Sequence, residues 1–402
     1  MDPLAGLNLL EWLGLGLRWF HVVVGIGWIG ASLYFMWLDA QLERPDPPRP
    51  GVEGALWMVH SGGFYQVERR RVGPGELPRT LHWFKWEAGL TGISGLLLLG
   101  LVYHLRGAAY LVDPAVSAIS PGAASALALG LLVLAWLVYD LLWISPLAGR
   151  ARAVTAVSWA LLLALTVGLC HVLSGRAAYV HVGATLGVIM VLNVWLRIIP
   201  AQREMIAATA AGRPPDLTLG ARAKRRSTHN SYVTFPVLFT MFSNHYPMTY
   251  GHPLNWLVLV LLIVVGVGIR HAMIRAEHRR PAGPWTWVAV GGAVVALVGL
   301  TSPAWMATPT RAGAAPASFD AARRIVEQRC VSCHSAAPTD DVFRIAPSGV
   351  TFDTPASIRR HAEAIRLRTV LSKTMPLANK TGMTEDERAV LGRWIEEGAR
   401  VE

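Results

Sequence analysis

Long apolar runs alternate with short polar segments along the first three quarters of the chain. Eight runs stand out, at 13–38, 83–104, 122–144, 153–173, 179–199, 231–246, 254–275 and 284–304. A helix rises 1.5 Å per residue, so about twenty apolar residues cross ~30 Å of hydrocarbon. The sixth run is the weakest: Ser231-Tyr-Val-Thr-Phe-Pro236 is polar and interrupted by proline, and a re-entrant or kinked segment is its alternative. The N-terminus lacks a basic n-region and a cleavage site, so the first run reads as a signal anchor.

The pattern changes after residue 304. Residues 305–317 read as a Pro/Ala linker, and 318–402 as a small soluble domain. Ser318 suits an N-cap for a helix carrying Phe319, Ile325 and Val326. Thr384 with Glu387 forms a capping box, followed by the amphipathic stripe Val390, Leu391, Trp394 and Ile395. The expectation is an all-α chain. Residues 1–304 form a polytopic membrane helical bundle, and a small all-α domain follows in which the first and last helices pack together.

Composition agrees with a membrane protein: of 402 residues, 53% are hydrophobic and only 16% charged, with 16 Trp and a mean hydropathy of +0.38. A net charge of +11 raises the question of nucleic acid, and its placement answers it. The odd-numbered loops carry Arg44, Arg49, Arg69, Arg70, Arg71 and Arg79, then Arg150 and Arg152, then Arg203, Arg213, Arg222, Lys224, Arg225 and Arg226, then Arg275, Arg279 and Arg280. The even-numbered loops carry only Arg106 and Arg176. The positive-inside rule puts the odd loops in the cytoplasm and both termini outside. The charge is topology and attraction to anionic lipid, and nucleic-acid binding drops out.

Within the small domain, Cys330-Val331-Ser332-Cys333-His334 is a C-x-x-C-H signature for covalent attachment of a c-type haem. Each thiol adds across a porphyrin vinyl group, and His334 reaches the iron. A zinc half-site or a redox dithiol would share C-x-x-C, but zinc needs two more ligands at similar spacing. The one remaining Cys, Cys170, lies far away in an apolar run. The second axial ligand is assigned to Met375, in Met375-Pro376 about forty residues downstream, with Met383 as its rival. The domain therefore reads as a class I-like cytochrome c. In bacteria this haem is attached outside the cytoplasmic membrane, where the charge pattern independently places the C-terminus.

Titratable groups inside apolar runs are costly to bury and mark function. Arg18 and His21 lie in the first run, Lys85 and Glu87 open the second, and Asp140 ends the third. Six of thirteen histidines, His21, His104, His171, His181, His245 and His252, fall toward the outer face. Imidazole can ligate a b-haem, accept a proton or hold an anion. Around His21, the small residues Gly25, Gly27, Gly30, Ala31 and Ser32 permit close approach of a helix or of a planar cofactor.

These residues carry a resemblance. Trp19-Phe-His21, Trp28-Ile-Gly-Ala-Ser32, Leu81-His-Trp-Phe-Lys-Trp-Glu87 and Ser243-Asn-His-Tyr-Pro247, joined to Cys330–His334 and Thr374-Met-Pro376, resemble the PuuD-type membrane-bound urate hydroxylases (urate oxidases). Those proteins fuse an eight-span membrane domain to a C-terminal cytochrome c. The resemblance implies oxidation of urate to 5-hydroxyisourate in purine breakdown. It implies electron flow through haem c to a cytochrome c or terminal oxidase, in the inner membrane with the tail periplasmic. Urate is a planar anion, for which Arg18, Trp19, His21, Asn244 and His245 offer cation, donors and stacking surface. A base is needed, and His21, His245 or Glu87 would serve. Haem c takes one electron at a time, so either a urate radical waits or a b-type haem in the membrane domain holds the first electron. Two other functions share these parts: a quinol:cytochrome c-type oxidoreductase, and a non-catalytic haem-handling or electron-docking protein.

Overall fold

The structure, a computed structural model, describes residues 9–105, 109–302 and 317–401. Arg106 and most of the 305–317 linker lie outside the described residues. The helices are α1 (Leu9–Gln41), α2 (Trp86–Leu99), α3 (Pro121–Ile144), α4 (Ala151–Val172), α5 (Gly175–Asn193), α6 (Ile199–Ala210), α7 (Leu217–Phe242), α8 (Pro247–Tyr250), α9 (Asn255–Glu277) and α10 (Pro284–Leu300). A π turn, Gly100–His104, extends α2, and another, Val194–Ile198, joins α5 to α6. The tail adds α11 (Phe319–Arg329), α12 (Pro355–Arg360), α13 (Ala362–Ile365) and α14 (Glu385–Glu396).

Among the described residues, six helical stretches are long and apolar enough to cross a membrane: Glu11–Gln41, Trp86–His104, Pro121–Ile144, Ala151–Val172, Gly175–Ala210 and Asn255–Glu277. These match six of the eight runs. The last run becomes α10, which is apolar but only 17 residues long. The sixth becomes part of α7, whose first half carries Arg222, Lys224, Arg225 and Arg226. Pro236 sits inside α7 without ending it. Its ring is seated against Gly266 of α9, where a Cβ would meet Pro236 Cδ at 3.0 Å.

The chain forms two compact units. The first comprises residues 1–98, 184–237 and 263–292. In it, Gly25 and Gly27 of α1 face Thr91 and Glu87 of α2, at 3.9 Å and 3.8 Å from an added Cβ. Gly89 and Gly92 of α2 leave no room for a Cβ, which would meet Trp195 and Val191 at 2.9 Å each. Arg270 is fully buried, with Nε donating to Ser231 Oγ at 2.8 Å and Nη1 to Glu277 Oε1 at 2.7 Å.

This unit also holds a β-hairpin absent from the all-α expectation: β1 (Val52–His60) pairs antiparallel with β2 (Gly63–Arg70). Ser61 and Gly62, both with positive φ (50° and 76°), make the two-residue turn whose twist suits paired strands. Ion pairs Arg49–Glu68 (2.5 Å) and Arg69–Asp39 (2.8 Å) run along it.

The second unit comprises residues 99–183, 238–262 and 293–402. Tyr179 of α5 is fully buried and donates to the Asn255 carbonyl at 2.7 Å. In the tail, α11 packs on α14 around Ala322, Ile325, Val326, Phe352, Leu391 and Trp394. Ser318 caps α11, accepting from the Ala321 amide at 3.2 Å. Thr384 and Glu387 form the capping box of α14, at 3.2 Å and 2.7 Å. Trp394, 2% exposed, stacks near Phe319 and donates Nε1 to the Arg400 carbonyl at 2.8 Å. Trp394→Ala is expected to destabilise the tail by about 3–5 kcal/mol. Pulse proteolysis of the full chain in urea, read on tail fragments, checks this; a loss under about 1 kcal/mol would show that the α11–α14 seam does not hold the tail.

Candidate functional site

The C-x-x-C-H segment is wound as a tight turn off the end of α11. The Cys330 amide donates to Val326 O at 2.8 Å and the His334 amide to Cys330 O at 2.9 Å. Cys330, Cys333 and His334, at i, i+3 and i+4, thus share one side of the turn. His334 Nδ1 donates to the Val350 carbonyl at 3.0 Å, which leaves the Nε2 lone pair free. Its ring lies 5.2 Å from that of Phe352. Burial pushes His334 below its usual range, opposed by the Val350 bond and helped by Arg368 and His361, so the neutral imidazole is the stable form at pH 7.

The thiols behave differently from a redox pair. Burial, with Cys333 beside it, pushes the Cys330 thiol up to about 12. Burial also raises Cys333. Neither is a reactive thiolate at neutral pH. Among the described residues, no group of three or more His, Cys, Asp or Glu is placed to hold a metal ion, so the zinc alternative gains nothing.

Met375 lies half-buried on a loop whose main chain is pinned. Its amide donates to Arg368 O at 2.9 Å, and its carbonyl accepts from Arg388 Nη1 at 2.8 Å. Arg388, buried, also donates to Thr369 O. The rival Met383 is 3% exposed and packed in the tail core with Cys330.

The second unit gathers a further cluster. Arg176, in the first turn of α5, lies over the Tyr110 ring with its guanidinium 4.4 Å from the centroid. Its Nε donates to Asn244 Oδ1 at 2.9 Å. The Tyr103 hydroxyl is 3.5 Å from the same oxygen, and the Tyr103 ring meets His181 edge-on at 5.5 Å. His181 is 1% exposed; its Nδ1 donates to Ala177 O at 2.7 Å, and its Nε2 faces His104 Nε2 at 3.2 Å. His104 Nδ1 meets Ser125 Oγ at 3.1 Å.

The tail reaches this cluster. Phe343 packs edge-on against Tyr110 with centroids 5.8 Å apart. Gly251 abuts the loop before Met375: a Cβ there would lie 2.6 Å from Thr374 Cγ2 and 2.8 Å from Ser372 Cβ. Between them, Tyr250 is buried, which raises its phenol pKa, while Arg176 and Arg368 pull it back and Arg368 shares a hydrogen bond with it.

The residues singled out in the sequence are scattered. His21 packs on α2, its Nδ1 2.9 Å from Ser94 Oγ and its ring 3.1 Å from a Cβ placed on Gly95. Glu87 sits two turns away along α2, with Oε2 buried and without a hydrogen-bond partner among the described residues. Arg18 is exposed and forms no ion pair among the described residues. Lys85 lies between Trp83 (5.8 Å) and Trp86 (5.7 Å). In the second unit, His245 is exposed and makes no side-chain hydrogen bond among the described residues, whereas His104, His181 and Asn244 converge. Sequence reasoning missed Arg176 and Tyr110. Arg176 had a signal: it is a cation in the loops from which cations are otherwise nearly excluded.

Long apolar helices followed by a small helical tail bearing C-x-x-C-H make this a membrane-type helical protein. Over residues 7–302 it matches the family described as urate oxidase N-terminal, and it belongs to that family. This makes it a urate-oxidase-related oxidoreductase. No curated protein and no solved structure matches the chain.

One ion pair sets an acid limit for the tail. Asp340 is pushed up by burial, but Lys380 at 2.7 Å and the Phe343 and Val342 amides outweigh this and hold it at about 2. A carboxyl depressed below its unfolded value of about 3.9 stabilises above that pH, and the stabilisation is lost as pH falls toward 2. With Lys380 part-exposed, it is expected to contribute on the order of 1–2 kcal/mol. Tail unfolding from pH 5 to about pH 2 checks this, since Asp340→Asn removes that slope; an unchanged slope would contradict it.

Proposed function

We propose that this protein is a membrane-bound urate hydroxylase of the PuuD type, which oxidises urate to 5-hydroxyisourate and delivers the electrons to a c-type haem on its tail. The observation that carries the reading is the family match over residues 7–302, followed in the same chain by the Cys330–His334 turn. The excess of Lys and Arg in the odd loops supports a bacterial inner-membrane protein with both termini and the tail periplasmic.

The residues suit the haem. Cys330 and Cys333 present thiols on one side of a turn for thioether bonds. His334 offers Nε2 because Nδ1 is held by Val350. Phe352, Ile358, Ile365 and Val350 supply apolar lining. Met375, on a loop fixed by Arg388, would be the second residue to hold the iron. When bound, the haem supplies a one-electron acceptor of raised potential.

Urate and water give 5-hydroxyisourate, two protons and two electrons. The chain must hold a planar anion, take up protons and shield a one-electron intermediate. For a second electron store, a b-type haem, His21 is the candidate ligand. Ser94 Oγ gives its own hydrogen to Leu90 O at 2.7 Å, so it accepts from His21 Nδ1–H at 2.9 Å, and His21 also bonds to the Thr91 backbone. Electrons would leave the tail for a cytochrome c or terminal oxidase.

Anaerobic addition of urate to the purified mature chain, in quinone-free detergent, tests the reading. The reduced c-type α-band is expected to develop, two equivalents per urate. Reduction by a quinol alone, with none by urate, would overturn it in favour of a quinol:cytochrome c-type enzyme. Arg388→Ala is expected to release the Met375 loop and abolish the methionine–iron charge-transfer band while the haem stays covalently attached. Persistence of that band would show that Arg388 does not hold the Met375 loop in place.

A further inference from the structure

The arginine in the cation-poor loops suggests a ligand. Arg176 uses Nε on Asn244, and its two terminal nitrogens have no hydrogen-bond partner among the described residues. It is held over the Tyr110 ring and tied to Asn244, so its orientation is fixed before anything binds. Two of its features would be hard to change. Gly175 beside it leaves no room for a Cβ, which would collide with the Tyr250 carbonyl. Asn244 accepts from Arg176 through Oδ1, so Nδ2 is the group left to donate. A fixed guanidinium fork, an amide donor and the rings of Tyr103 and Tyr110 together fit one ligand chemistry: a planar, anionic, oxygen-rich heteroaromatic ring.

The histidine pair fixes the other side. His181 Nδ1–H is committed to Ala177 O, so His181 Nε2 must accept, and His104 Nε2–H must donate to it. His104 Nδ1 then carries the lone pair and takes the Ser125 hydroxyl hydrogen. The opposite assignment would set two lone pairs against each other at 3.2 Å. His104 is thereby held as the Nε2–H tautomer with both ring nitrogens engaged, and His181 positions it.

We propose that Arg176, Asn244 and Tyr110, flanked by Tyr103 and the His104–His181 pair, form the binding site for the urate anion. This assignment rests on the urate reading above and moves the substrate site away from Arg18 and His21, to the cluster that touches the tail. Ring oxygens or the deprotonated nitrogen face Arg176 and Asn244, with the Tyr110 ring backing the guanidinium.

Binding is measured without turnover by equilibrium dialysis of urate against the full chain kept reduced with dithionite. Arg176→Ala and Asn244→Ala are each expected to weaken urate binding by about tenfold, ~1.4 kcal/mol, with Arg18→Ala unchanged. Labelling of the unmutated chain with an arginine-directed dicarbonyl, read by mass spectrometry, needs no variant. Urate is expected to protect Arg176 and not Arg18. If wild-type protein is reduced by urate but Arg176 is not protected and both variants bind normally, the site is overturned and the function stands. If urate neither binds nor reduces the wild-type protein, the function itself fails.

Discussion

Gly251 occupies a place where no side chain fits. A Cβ would press on Ser372 and Thr374 of the tail, and on the Pro247 carbonyl at 2.7 Å. This absence of a side chain lets the backbone after α8 lie directly against the loop that leads into Met375. Residues 243–251 therefore hold Asn244 at one end and the tail loop at the other, with Tyr250 buried between. The cluster around Arg176 and the motif-bearing tail are parts of one compact unit, joined at that contact and at Phe343–Tyr110.

The chemistry follows the same division of labour. In the tail, polar groups serve to fix geometry: Val350 orients His334, Arg388 pins the Met375 carbonyl, and Asp340 with Lys380 staples the segment after the C-x-x-C-H turn. In the apolar helices, several buried polar groups are satisfied locally, as Arg270 is by Ser231 and Glu277, and Asn193 is by Asn230 at 2.9 Å, with Glu87 Oε2 an exception. Arg176 differs from these in keeping its terminal nitrogens without hydrogen-bond partners among the described residues, which is what an anion site requires.

Much of the fold was legible because its determinants are local. Apolar length marked α1 to α5 and α9, and capping chemistry marked α11 and α14 at Ser318, Thr384 and Glu387. The hairpin was not legible: its strands mix charges with apolar residues, and the Ser61-Gly62 turn depends on a pair of positive φ angles that composition barely signals. Only half of α7 was read, because its first half is basic and its Pro236 suggests an end that packing against Gly266 removes. At the site, Cys330, Cys333 and His334 are contiguous in sequence and were plain. The cluster draws on residues 103 to 244, so it exists only after folding. Arg176 entered the sequence reading as a topology count, and His21 outweighed His104 and His181 because its neighbours were more distinctive.

The proposed function and the proposed urate site together require electrons to pass from urate to the tail near the Gly251 contact. Stopped-flow reduction of the haem in Gly251→Val tests it most directly, with urate and with ascorbate as alternative donors. Reduction by urate is expected to slow by roughly tenfold or more, because a side chain there moves the Met375 loop away. Reduction by ascorbate, which meets the tail from solution, is expected to keep its wild-type rate. Equal rates with both donors, matching wild type, would contradict the account.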